Sequence, residues 1–210
     1  MLVDIVSSSS LLFPLIAGLA FYYRNGKLLN FFLVFILFSA VFESISLGLA
    51  FSHINNHWMF KLFLISDFLF FALLFNKRLT FKPWFRHFTL GFLVLILCDG
   101  FITLIWPQLF AYPGAIIFVA LFLYFIIQSI YVLLTLINDM SLLQNTFFWI
   151  ATARLFYYLT IFSIYTYVQA SSESFNNQLF SNAFKIINAS SNIVCNIMFG
   201  VSFLCNKIRI

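Results

Sequence analysis

The residues best able to do chemistry in this chain are a few polar groups set inside long apolar runs. Arg154 lies within TFFWIATARLFYYLT, from Thr146 to Thr160. An arginine there costs roughly 2.5–3.5 kcal/mol on insertion scales, so it is expected to face protein groups or trapped water rather than lipid. Three carboxylates share its situation: Glu43, Asp67 and Asp99. Asn188, Asn192 and Asn196 recur at i, i+4, i+8, which puts their amides along one face of a helix. Gln128 and Tyr157 add hydrogen-bonding capacity, as do Tyr124, Tyr131 and Tyr158. Such a set can pair charges, bind a ligand, line a transport path, or hydrolyse a lipid with Asp67 or Asp99 as base. The plainer reading is packing, since Asn and Ser on membrane helices tie neighbours together at a fraction of a kcal/mol to about 2 each. Three acids and an arginine exceed what packing needs, because each is individually costly.

The elements that must position these groups follow from composition. Of 210 residues, 63% are hydrophobic and 8% charged, against about 25% charged in soluble domains. That excludes a soluble protein and indicates a polytopic, all-α membrane protein. A spanning helix needs about 20 mostly apolar residues. The pattern predicts seven, near 4–23, 29–52, 58–76, 88–106, 114–137, 146–169 and 179–205, forming one transmembrane domain over 1–210. The first is interrupted by Ser7 to Ser10 and Pro14, so it begins near residue 4 or near Leu11. Short joints leave no room between helices for a soluble domain.

Basic residues set the orientation. Arg24, Lys27, Lys77, Arg78, Lys82, Arg86, Lys207 and Arg209 fall on one side of a seven-span protein, which should be the cytoplasm, with the N-terminus outside. The net charge of +5 is thereby explained by topology, and no direct nucleic-acid partner is expected. The N-terminus has no basic n-region or small-residue cleavage site, so no cleaved signal peptide is read. Cys98, Cys195 and Cys205 fall in or beside apolar segments and are expected as free thiols. An Asn shortly followed by a Phe pair at the start of helices 2 and 6 (Asn30 and Asn145), and the Asn pairs before helices 3 and 7, suggest a 3+1+3 pseudo-repeat in which Asp67 corresponds to Asn188.

Depth sharpens the pairing. Counted from the cytoplasmic ends at about 1.5 Å per residue, Arg154, Asp67 and Asn196 lie roughly 12–14 Å deep and Asp99 slightly deeper. Glu43 and Asn192 lie about 20 Å deep. Arg154 with Asp67 is the expected ion pair, Asp99 the rival partner, and Glu43 is left nearer the Asn ladder.

Other motifs carry less. His53 and His57 could share a metal on a helix, but the pair lacks the Glu of H-E-x-x-H and sits in a turn, so no metal is expected. Lys185 lies too near the start of helix 7 for a retinal Schiff base, phosphate-cradling glycine loops are missing, and no cofactor is expected.

The acid in SAVFE ending at Glu43, the Asn55–Asn56 turn, Asp67, the run from Phe147 to Tyr158, and Asn188, Asn192 and Asn196 together resemble a family of small bacterial seven-helix membrane proteins without assigned activity. The resemblance implies a multi-pass protein of the bacterial cytoplasmic (inner) membrane. That family carries a Trp and a His one to two turns before the final Asn-Ile, where this chain has Phe184 and Asn188, so no His-based chemistry carries over. In size the chain is also similar to the accessory membrane proteins encoded beside type VI-B CRISPR nucleases.

The leading expectation is a non-enzymatic sensor or accessory subunit whose polar interior binds a small ligand or a partner helix. Its partners would be the bilayer and a second membrane protein or further copies of itself. A small transporter or channel, an intramembrane lipid hydrolase and a CRISPR accessory protein are the alternatives.

Overall fold

The computed structural model describes residues 2–52, 57–79, 83–105, 113–137, 141–170 and 178–205. They form α1 (Leu2–Ser9), α2 (Leu12–Ala20), α3 (Lys27–Phe51), α4 (His57–Leu79), α5 (Pro83–Ile105), α6 (Pro113–Leu136), α7 (Thr146–Ala170) and α8 (Gln178–Leu204), with a 3₁₀ turn at Leu142–Gln144. No strand occurs among the described residues. Five stretches of them are long and apolar enough to cross a bilayer: Val3–Ala20, Lys27–Phe51, Phe118–Leu136, Thr146–Tyr167 and Asn182–Leu204. Ile16, Val34, Leu97 and Leu134 are exposed on the outer surface, as contact with lipid rather than water allows.

Two boundaries differ from the sequence reading for physical reasons. α5 begins at Pro83 rather than near 88. Proline suits a first helical position, and the turn that follows carries exposed Arg86 and His87, which dilute the apolar window. The first span is two helices, so both candidate starts belong to it. Ser10 N–H donates back to Val6 and Ser7 carbonyls, Leu11 N–H to Ser8, and Phe13 N–H to Ser10. Pro14 has no N–H to continue the ladder, and the chain kinks through a tightened turn before Leu15 N–H reaches Leu11.

α7 packs between α6 and α8, α8 carries α1 and α2, and contacts from α2 to α3, α3 to α4 and α4 to α6 close the ring. α5 packs on α6 from outside that ring. α1 and α2 run in the same direction as α8: Ser7 meets Asn192, and Ser10 meets Asn196. Small residues allow this approach. A Cβ on Gly200 would run into the Phe13 ring, and one on Gly18 into Leu33 and Phe203. α4 and α7 are antiparallel, with Phe75 beside Phe147 at one level and Asp67 beside Arg154 at another.

The interior is rich in aromatic side chains. One cluster joins Phe32, Phe35, Phe71, Phe75, Phe199 and Phe203 from α3, α4 and α8. A second joins Leu64, Phe68, Phe122, Phe125 and Tyr158 from α4, α6 and α7.

Candidate functional site

Arg154 lies where the two aromatic clusters meet. It is 1% exposed, and its guanidinium carbon stands 3.7 Å from the Phe71 ring centroid and 4.8 Å from that of Phe125. Those faces attract a cation electrostatically where water is excluded. Nη2 donates to Asp67 Oδ2 at 2.6 Å and Nη1 to Gln128 Oε1 at 2.7 Å. Tyr158 donates its hydroxyl to the same Asp67 oxygen at 2.7 Å. The guanidinium therefore ties α7 to α4 and α6 at once, with a planar fork that lysine could not reproduce.

The bonds continue outward in one direction. Gln128 Nε2 donates to the Tyr124 hydroxyl at 3.2 Å, which meets Thr89 Oγ1 at 3.0 Å, and Thr89 donates to the Phe85 carbonyl at 3.0 Å. Buried polar groups need such partners, and this chain carries the connection from α7 through α6 to α5.

On the other side of the Arg154–Asp67 pair lies a cavity of about 340 Å³, within the range of small-molecule sites, about 300–1,000 Å³. Asp67, Arg154 and Tyr158 form its floor; Phe35, Ile36 and Phe63 contribute apolar surface, Ser39 and Glu43 continue the α3 wall, and Asn192 and Asn196 line it from α8. The floor is buried, whereas Phe42, Glu43 and Ser46 are half-buried, so the cavity opens toward the end where α3 finishes and α4 begins.

The break in the first span builds one wall. Asn192 Nδ2 donates to Ser7 Oγ at 2.9 Å, Asn196 Nδ2 to Ser10 Oγ at 2.7 Å, and Ser8 donates to Glu43 Oε1 at 2.7 Å. Ser10 in turn donates to the Ser7 carbonyl. The serine tract thus fastens α1 and α2 to α8 and α3. The carboxamides of Asn192 and Asn196 are used largely in holding helices together.

The structure brings six expected residues to one cavity: Glu43, Asp67, Arg154, Tyr157, Asn192 and Asn196. Gln128 sits behind the floor, fully buried against Arg154. Asn188 is exposed and does not line the cavity. The position that the pseudo-repeat would match to Asp67 therefore has a different environment. Asn196, at the depth of the ion pair, turns to Ser10 instead. The side chain of Asp99, the rival partner, lies outside the described residues, as do those of His53 and His57. No group of three or more His, Cys, Asp or Glu able to hold a metal occurs among the described residues.

Sequence reasoning missed Ser7, Ser8 and Ser10 as partners, and Thr89 as the end of the polar chain. The first had a readable signal: Ser7 and Ser10 are three apart and Asn192 and Asn196 four apart, each pair on one helix face. Thr89 had none, being one threonine in an apolar run.

No protein-family model, curated protein or solved structure matches the chain. The chemistry open to the cavity is set by its own walls. They offer carboxylate oxygens, a tyrosine hydroxyl and aromatic faces, above a cation already engaged by the protein.

Proposed function

We propose that the protein is a seven-span protein of the bacterial inner membrane that binds a small ligand in this cavity, acting as a sensor or accessory subunit. The observation that carries this reading is a cavity with a charged floor fixed in advance by Phe71, Phe125, Gln128 and Tyr158, since preorganised polar groups reduce the cost of binding. The parallel course of the first and last spans supports an odd number of crossings. Exposed Arg24, Lys27, Lys77 and Arg86 cluster at the end opposite the cavity mouth, which supports a cytoplasmic C-terminus and a mouth facing outside. Binding would be felt at the floor and passed through Gln128, Tyr124 and Thr89 to α5.

A second reading, passage of a solute or ion, draws on that same polar chain, because it extends beyond the floor. The guanidinium of Arg154 opposes it for protons and cations, since arginine stays charged and does not relay a proton.

Phe42→Cys, in a background with Cys98, Cys195 and Cys205 changed to Ser, tests access at the mouth. A membrane-impermeant thiol reagent is expected to label it from the periplasmic face of spheroplasts and not from the cytoplasmic face of inverted vesicles. Labelling from both faces would favour passage. Protection from both would mean a closed cavity and would overturn the ligand reading.

A further inference from the structure

Nη1 and Nη2 of Arg154 each give one N–H, to Gln128 and Asp67, the guanidinium lies against Phe71 and Phe125, and Nε is buried with no partner. Two carboxylates, Glu43 and Asp67, line the cavity against this one guanidinium, so acid groups outnumber basic ones on its walls. Both hydrogen bonds to Asp67 land on Oδ2, leaving Oδ1 uncommitted, and the side chain lines the cavity. Glu43 accepts from Ser8 through Oε1 alone, leaving Oε2 uncommitted at the half-buried mouth. Tyr157 adds a hydroxyl with no hydrogen-bond partner among the described residues, and the aromatic rings of Phe35, Phe42 and Phe63 border the same space. Two acceptor oxygens above an already engaged cation, with aromatic faces around them, form the complement of an organic ammonium.

Resting on the ligand-binding reading above, we propose that the cavity selects amphiphilic primary or secondary amines. The ammonium donates to Glu43 Oε2, the Asp67 carboxylate adds a second negative group at the floor, and the hydrocarbon lies against Phe35, Ile36 and Phe63. The amine can come from a free alkylamine or from the headgroup of an aminophospholipid; the ammonium is common to both.

Cys195 lines the same cavity and reports occupancy without a new label. The experiment measures its alkylation by N-ethylmaleimide in the full chain carrying Cys98→Ser and Cys205→Ser, in phosphatidylcholine nanodiscs. n-Octylammonium is expected to slow alkylation at concentrations about tenfold lower than 1-octanol or octanoate, the size of effect one charge-assisted hydrogen bond provides. Glu43→Gln, which preserves shape and the Ser8 contact, should remove that preference. Asp67 is left intact because its loss would leave Arg154 unpaired. A parallel arm replaces part of the phosphatidylcholine with phosphatidylethanolamine: slowed alkylation without added amine would assign the lipid headgroup, and unchanged alkylation the free amine. Equal protection by the three octyl compounds, better protection by octanoate, or a preference surviving Glu43→Gln would each overturn the ammonium proposal while leaving a binding cavity. Alkylation of Cys195 at one rate with and without each of the three octyl compounds would overturn the ligand-binding reading itself.

Discussion

Arg154→Ala is expected to destabilise the folded protein by about 3–5 kcal/mol, the cost of leaving one member of a buried ion pair without its partner. Asp67 would keep a single hydrogen bond, from Tyr158, in a site 4% exposed, and Gln128 Oε1 would lose its donor. The two aromatic clusters would also lose the cation packed between them. In detergent this should lower the unfolding midpoint by on the order of 10 °C, read from intrinsic fluorescence. Arg154→Lys should cost less, about 1–3 kcal/mol, because the charge survives but the planar two-pronged grip on Asp67 and Gln128 does not. A wild-type midpoint for Arg154→Ala would mean that the side chain reaches the membrane surface instead.

The second large effect concerns the partner. Asp67→Leu should also cost about 3–5 kcal/mol, now by stranding the guanidinium. Combining it with Arg154→Met removes both charges and leaves apolar groups of similar size in an aromatic setting. The double variant leaves only the neutral Gln128 Oε1 and Tyr158 hydroxyl without their partners, so it is expected to unfold closer to the wild type than either single variant, short of it by about 2–3 kcal/mol. Strictly additive losses would show that the pair is not an energetic unit.

Much of this arrangement could be read from the chain, and the parts that could not have physical reasons. Apolar runs of about 20 residues located the long helices, since the bilayer imposes that length. Counting rise per residue placed Arg154 and Asp67 at one level because both helices are regular between those residues and their ends. The same count placed Asn196 beside them but could not give its azimuth, and its amide faces Ser10 across the α2–α8 contact. Asn188 looked equivalent to Asn192 by spacing, yet only neighbours decide whether a helix face is covered. The serine tract read as an interruption of the first span. Its role appears only when the kink at Pro14 is set against α8, where Ser7 and Ser10 find their amides. Nor does periodicity show that Arg154 would be covered by Phe71 and Phe125, because in a chain with 32 phenylalanines their positions carry little information.

The central claim is that the Arg154–Asp67 pair closes the cavity, so that a ligand enters and leaves by one mouth. Two near-isosteric variants test it: Ser39→Cys, on the cavity wall, and Ser129→Cys, fully buried next to Gln128 in α6. With the native cysteines changed to Ser, a small water-soluble methanethiosulfonate should modify Ser39→Cys in the folded protein and leave Ser129→Cys unmodified until unfolding. Modification of both at similar rates would mean that water passes the ion pair, and the site would be a conduit rather than a closed binding pocket.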